Sequence, residues 1–307
     1  MNIQSILVND INIFIARDDL NHGIISGNKL HKLKPNIELA INKGCRAMLS
    51  FGGPFSNHLH ALAWACKENK LKSIGVVRGE LHQKLTPTLQ DCKDWGMQLI
   101  PCSRKLYRAY QDDLALVDGP LMLNRISPPE NALVDRLVHL APNLTEDTLV
   151  IPEGGSNLLA IESVAAAYRP LFDLEQCKCV THAICATGTG ATVSGLSLAA
   201  PKHLEVIGVQ TVAEGAATSE RIQDWITKQS KKPTIEEGHL GGFAKTPAAL
   251  MEFIDEFEAR HNIPLDPIYN GKVMYKVSNM ITEGEFKQSD VLLIIHTGGL
   301  QGKRSKS

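Results

Sequence analysis

The chain reads as an α/β protein built on open parallel sheets. Three observations predict this. Short β-rich runs alternate with longer helical patterns along the 307 residues, which implies parallel strands covered by helices on both faces. The strand candidates are continuous apolar runs, as expected where both faces are buried. Four of them end in turns rich in Gly, Ser, Thr and Asn, and ligands bind beyond the carboxyl ends of parallel strands.

The elements follow in order. Ile11 to Ala16 reads as a strand, and Pro35 to Asn42 as a helix stopped by Gly44. Ala47 to Phe51 is a buried strand running into Gly52-Gly53-Pro54. Asn57 to Asn69 has helical spacing, with Leu59, Leu62, Ala63 and Cys66 on one face. Ser73 to Val77 is a strand, Thr88 to Gly96 a helix and Gln98 to Cys102 a strand. After an irregular stretch from Tyr107 to Asn143, Thr148 to Ile151 is a strand before Gly154-Gly155-Ser156 and a helix through Tyr168. Val180 to Cys185 is a strand before a glycine-rich turn and a helix from about Thr192. Leu204 to Gln210 and Val291 to Ile295 complete the strands.

Composition narrows the function classes. Hydrophobic residues make up 43% and charged residues 21%, which is ordinary for a globular chain of about two domains. Lys plus Arg is 32 and Asp plus Glu is 33, a net charge of −1. Nucleic-acid binders carry a clear basic excess, so none is expected as a partner. The basic run Gly302-Lys303-Arg304-Ser305-Lys306-Ser307 reads as a solvated tail. No apolar stretch reaches the ~18 residues of a membrane helix, and the first residues lack a secretory signal. The seven cysteines are scattered, and Cys177-Lys178-Cys179 has no second pair to complete a zinc site. A reducing, cytoplasmic setting without disulfides or structural metal is expected.

The four turns are Ser50-Phe51-Gly52-Gly53-Pro54-Phe55-Ser56-Asn57, Pro152 to Asn157, Cys185 to Thr192 and His296-Thr297-Gly298-Gly299. Each alone suits an ordinary connection; four together suit one small-molecule site. A Walker phosphate loop is absent. A dinucleotide fingerprint starting at Gly188 and Gly190 fails at Val193. Thr187, Gly188, Thr189, Gly190 and Ala191 instead offer hydroxyls and amides around one compact phosphate. Lys29 follows the turn Ser26-Gly27-Asn28 and precedes a helix; by itself it reads as a solvated loop lysine, or, with its amine partly desolvated, as one able to form a Schiff base with a carbonyl cofactor.

These residues carry a resemblance. Ser26-Gly27-Asn28-Lys29 with Lys32-Leu33, and Ser50 with Gly52-Gly53 and Ser56-Asn57, resemble the 1-aminocyclopropane-1-carboxylate deaminase and D-cysteine desulfhydrase family. These are pyridoxal-phosphate enzymes of fold type II, related to tryptophan synthase β. Pro152-Glu153-Gly154-Gly155-Ser156-Asn157, Gly242-Phe243-Ala244-Lys245, Leu265 to Lys272 and His296-Thr297-Gly298-Gly299 follow in the family's order.

The resemblance implies pyridoxal 5′-phosphate held by Lys29, which also serves as base, and not by Lys32. It implies Asn57 on the cofactor's phenolic oxygen and Thr187 to Ala191 on its phosphate. Ser56 would meet the substrate carboxylate or relay a proton, with a plain helix cap as the competing role. Tyr269 would lie near the reacting carbon, or else pack in the core. His58 and His60 read as surface or core residues.

In the family's deaminases a Glu follows the tyrosine and a Leu follows the late histidine; in its desulfhydrases both positions are small hydroxyl residues. Here they are Asn270 and Thr297: the threonine matches the desulfhydrase pattern, while the asparagine matches neither and removes the carboxylate. Both sit on the cofactor side of the implied site. Without an acidic partner the pyridine nitrogen is less readily protonated and the cofactor is a weaker electron sink. That favours loss of a good leaving group such as thiolate from D-cysteine or a relative. Ring opening of 1-aminocyclopropane-1-carboxylate is the alternative, and a non-catalytic amino-acid binder a further one. The resemblance also implies a large domain of residues 1–30 plus 140–307, a small domain of 31–139, the cofactor between them, a small amino-acid substrate and a homodimer.

Overall fold

The computed structural model describes residues 1–81, 83–115, 119–123, 131–141, 144, 147–212, 222, 225, 232–242 and 245–306. The motif residues Phe243 and Ala244, and the last residue of the basic tail, lie outside them. The chain forms two compact units, one of Met1–Asn28 with Ile161–Lys303 and one of Lys29–Ala160 with Arg304–Ser307.

The first unit carries a six-stranded sheet in the order β1-β2-β11-β8-β9-β10. Its strands are β1 (Ile3–Val8), β2 (Ile11–Ala16), β8 (His182–Thr187), β9 (Glu205–Gln210), β10 (Thr234–Glu237) and β11 (Val291–Ile295). The strands from β2 through β10 are parallel, and β1 pairs antiparallel with β2. The sheet is therefore mixed and not purely parallel. Asn9 and Asp10, at φ 45° and 65°, make the two-residue hairpin turn responsible. Ile13, Ile184, Leu292 and Ile294 pack with Leu250, Ile254, Val273 and Val277 in one apolar cluster. Ala183, Cys185, Leu293 and Ile295 pack with Val164, Tyr168, Val193 and Leu196 in another. Alternate residues of each strand thus feed opposite layers, which is why these runs are apolar throughout.

The second unit carries a five-stranded sheet in the order β5-β4-β3-β7-β6. Its strands are β3 (Ala47–Gly52), β4 (Lys72–Arg78), β5 (Gln98–Cys102), β6 (Leu121–Met122) and β7 (Thr148–Val150). All pairs are parallel except β6 with β7. Helices α1 (Asn28–Asn42), α2 (Asn57–Glu68), α3 (Pro87–Asp94), α4 (Arg104–Ala115), α5 (Asn131–Leu140) and α6 (Leu158–Tyr168) follow in the chain. Helices α7 (Ala191–Ala199), α8 (Ala248–His261) and α9 (Asn270–Thr282) belong to the first unit.

One element departs from expectation in a way that matters. Helix α1 begins at Asn28, with Pro35 inside it, and not at Pro35. Proline favours a first helical turn, but Gly27 at φ +67° turns the chain earlier. Lys29 therefore stands in the first turn of a helix and not ahead of one.

Strand order places the glycine-rich turns. In the first sheet the chain moves from β8 to β9 to β10 on one side, while β11 and β2 lie on the other. The switch falls between β8 and β11, whose following turns are Gly188–Gly190 and His296–Gly299. In the second sheet β3, β4 and β5 run one way and β7 lies on the other side of β3. The turns after β3 and β7 flank that switch. Switch points are where parallel sheets open a crevice for ligands.

Candidate active site

In the first unit, β8 delivers Thr187 to the start of α7. Gly190 caps the helix at φ +93° without a side-chain cap, so backbone amides define this helix start. A Cβ on Gly190 would fall 2.8 Å from Ile222 Cγ1. The Thr187 side chain is buried and its Oγ1 has no hydrogen-bond partner among the described residues. Gly208 on β9 makes room for that hydroxyl, since a Cβ there would lie 2.4 Å from it. The buried hydroxyl of Ser194, one turn into α7, is also without a partner among the described residues. Two orphaned hydroxyls and an uncapped helix start fit a bound anion.

The turn after β11 meets the start of α9. Asp266 accepts from the amides of Ile268, Tyr269 and Asn270 and from Asn270 Nδ2, at 3.0, 2.7, 2.9 and 2.9 Å. That carboxylate caps α9 and is saturated by the task. Asn270 Nδ2 also donates to the Gly298 carbonyl at 2.9 Å, and its Oδ1 accepts from the Thr297 amide and hydroxyl. Four partners fix the amide's orientation. Tyr269 stands at the N-cap of α9, partly buried against the apolar cluster. One turn further, the buried Lys272 Nζ donates to the carbonyls of Thr211, His239 and Gly242. Burial lowers Lys272 to about 8, with Asp266 opposing, so at neutral pH the amine is still an ammonium.

The same unit holds the residue peptide-bonded to Lys29. Asn28 donates through its amide to the Thr297 carbonyl at 3.1 Å and through Nδ2 to Thr192 Oγ1 at 2.8 Å. Gly27 is obligatory beside it, because a Cβ there would sit 1.9 Å from the Thr297 oxygen. The backbone leading into Lys29 is thus pinned both to the turn after β11 and to the start of α7.

In the second unit, β3 leads through Gly53 and Pro54 to Ser56, the N-cap of α2, whose Oγ accepts from the Leu59 amide at 3.2 Å. The capping role weighed for this serine is present; its hydroxyl proton is not used by the cap. A Cβ on Gly52 would meet Ser56 Oγ at 2.4 Å, which accounts for glycine there. Asn57 and His58 open α2 and are both buried. His58 Nε2 lies 2.7 Å from Ser50 Oγ. Lys32, also buried, reaches Ser156 Oγ at 3.4 Å in the turn after β7, and Asn157 Nδ2 donates to Asn36 Oδ1 at 2.8 Å. Lys32 therefore ties α1 to that turn. His60 is buried against Trp95 and reaches Asp91 Oδ2 at 3.0 Å, a core role. Sequence reasoning missed Ser50 with His58, and Asn28 with Thr192. Their pairing depends on strands distant in the chain, and no local motif marks it.

The chain belongs to the pyridoxal-phosphate dependent enzyme family, whose model matches residues 5–298. Pyridoxal phosphate is accordingly its cofactor, and the anion-ready turn after β8 fits that cofactor's phosphate. The chain is 24% identical, over 95% of its length and 86% of the relative's, to a protein of Pyrococcus abyssi provisionally named a 1-aminocyclopropane-1-carboxylate deaminase. A solved structure of an ACC deaminase homologue superposes with a TM-score of 0.79 at 23% identity, covering 98% of this chain and 90% of that one. A hydrogen sulfide-producing enzyme of Fusobacterium nucleatum gives a TM-score of 0.64 at 14% identity, covering 98% and 96%. Two parallel-dominated sheets with helices are the fold shared with both. Among the described residues, no helix is long and apolar enough to cross a membrane.

Proposed function

We propose that this enzyme is a lyase that removes a β-thiol from D-cysteine or a close relative. The overall change is cysteine plus water giving pyruvate, ammonia and hydrogen sulfide. The Cα–H and Cβ–S bonds break, the sulfur leaves with the Cβ–S electron pair, and water supplies the keto oxygen.

The observation that carries this reading is the Asn270–Thr297 pair. The two residues are hydrogen-bonded to each other; on this reading they put an amide and a hydroxyl where a carboxylate would make the cofactor's ring nitrogen more basic. The Asp266 carboxylate, which accepts from Asn270, is saturated by four N–H donors. A ring less readily protonated is a weaker electron sink, enough for expelling thiolate and less suited to opening a carbon ring.

When bound, the cofactor draws electrons from the substrate's Cα and acidifies its proton. Lys29 holds the cofactor covalently and, once released, its amine takes that proton. Asn57 donates to the cofactor's phenolic oxygen. Thr187, Gly188, Thr189, Gly190 and Ala191 hold its phosphate, and Asn270 with Thr297 faces its nitrogen. Ser56 donates its unused hydroxyl proton to the substrate carboxylate. Tyr269 stands by the reacting carbon.

The Pyrococcus abyssi relative's name favours a second reading, ring opening of 1-aminocyclopropane-1-carboxylate plus water to 2-oxobutanoate and ammonia. Parallel assays of sulfide, pyruvate and 2-oxobutanoate separate the two. Sulfide and pyruvate in equal amounts from D-cysteine are expected. Turnover of the cyclopropane substrate alone overturns the thiol reading, and binding without keto acid from either makes the chain a non-catalytic member.

A further inference from the structure

Lys272 carries a charge into the interior. It stands in the first turn of α9, buried, and its Nζ lies 3.2 Å from the Thr211 carbonyl and 3.0 Å from those of His239 and Gly242. Carbonyls only accept, so three bonds need three N–H groups, and only the ammonium form of a lysine has three. The geometry alone makes Lys272 a cation. Asp266 is the carboxylate whose charge acts on it.

The backbone around it is shaped for a positive charge. Leu240, Gly241 and Gly242 all have left-handed φ, at 52°, 90° and 134°. A leucine adopts such a φ only at a cost in strain. The curl brings the His239 and Gly242 carbonyls onto one point, and Thr211, just past β9, supplies the third. Carbonyl dipoles aimed at one point repel one another unless a positive charge lies between them. Converging carbonyls are also how proteins hold a dehydrated monovalent cation.

The carbonyl cage is joined to the glycine-rich turn after β8. The Thr211 amide and hydroxyl both donate to the Thr187 carbonyl, at 3.1 and 3.4 Å. Val212 packs beside Gly188, where a Cβ would meet Val212 Cγ2 at 3.7 Å. Holding the Thr211 carbonyl therefore steadies the backbone on which Thr187 and Gly188 rest.

We propose that Lys272 is a tethered monovalent cation: its ammonium fills a three-carbonyl site suited to potassium or an alkylammonium ion, and by holding Thr211 it positions the Thr187 to Ala191 turn for the cofactor's phosphate. The positioning role rests on that turn being the phosphate site. The chain thus supplies from its own sequence a charge that the medium would otherwise have to provide.

Two variants test this. Lys272→Ala opens the site, and Lys272→Met fills its mouth without a charge. Both are compared with wild type at equal ionic strength in tetramethylammonium, potassium or propylammonium chloride. Propylammonium replaces the missing atoms from Cγ to Nζ; tetramethylammonium has no N–H and is too bulky for the cage. Thermal unfolding of the cofactor-free protein reads the cage, and titration with pyridoxal phosphate reads the turn. Wild type should be indifferent to the salt in both. In tetramethylammonium, Lys272→Ala should melt at least about 4 °C lower and bind pyridoxal phosphate about tenfold more weakly. Propylammonium or potassium should recover at least about half of the melting loss and bring the affinity within about threefold of wild type. Lys272→Met should stay weak in every salt. Equal defects of Lys272→Ala in all three salts, including failure to fold in any, overturn the proposal. So does a salt-dependent wild type, a Lys272→Met that matches wild type, or a rescued melting point with affinity never altered. If wild type binds no pyridoxal phosphate the functional reading fails instead, and the melting comparison still decides whether the cage takes a cation.

Discussion

Asn270 Oδ1 accepts two hydrogen bonds from Thr297, one from its amide at 3.0 Å and one from its hydroxyl at 3.2 Å. The same threonine's carbonyl accepts from the Asn28 amide at 3.1 Å. A single residue after β11 therefore joins the start of α9 to the backbone that enters Lys29.

Asn270→Asp should expose how tightly this pair is tuned. It removes Nδ2, which donates to Asp266 Oδ1 and the Gly298 carbonyl at 2.9 Å each, and sets a second carboxylate against Asp266. An unpaired buried charge of this kind costs roughly 3–5 kcal/mol. Denaturant unfolding at pH 7 should show that loss. It should shrink as pH falls and one carboxyl takes a proton, because a like charge raises the pair's proton affinity. A loss below about 1 kcal/mol would contradict the packing described.

Gly27→Ala and Gly44→Ala make a matched comparison. Both glycines have left-handed φ, +67° and +69°, but alanine at 27 meets the Thr297 carbonyl at 1.9 Å while nothing lies within 4 Å at 44. Gly44→Ala should cost only the strain of the conformation, about 1–2 kcal/mol. Gly27→Ala should cost clearly more and also reduce capture of pyridoxal phosphate, since Asn28 loses its anchor. Equal losses of stability and unchanged capture would refute the anchoring.

Acid should find the buried histidines. Burial lowers His58, helped by Lys29 and Lys32, and burial lowers His60 despite Asp91. Folded protein then keeps both neutral where the unfolded chain, near 6.5, takes up protons. Their contribution is complete above about pH 6.5 and is lost as pH falls below it, at up to roughly 1.4 kcal/mol per pH unit for each. The slope of unfolding free energy against pH below 6.5 should be smaller in His60→Gln than in wild type. Coincident slopes would contradict a neutral buried His60.

Much of this was legible in the chain. Val291–Ile295 is a strand end to end because its run is apolar on both faces. The glycine-rich turns were visible because backbone that must turn left-handed, as at Gly190, or approach closely, as at Gly52, selects glycine. Other elements left weak marks. Strand β1 lies at the sheet edge and is mostly uncovered, and β10 reads Thr-Ile-Glu-Glu, without an apolar run. Pro35 mimicked a helix start. The surroundings of His58 were invisible, since its partner Ser50 on β3 is itself held by the Ile151 and Pro152 carbonyls, about a hundred residues away.

Attachment of the cofactor to Lys29 can be read chemically. Purified protein loaded with pyridoxal phosphate, reduced with borohydride and digested should yield a single modified peptide, with the pyridoxyl group on Lys29 and none on Lys32. Modification at Lys32 or elsewhere, with Lys29 untouched, would refute Lys29 as the cofactor-bearing residue.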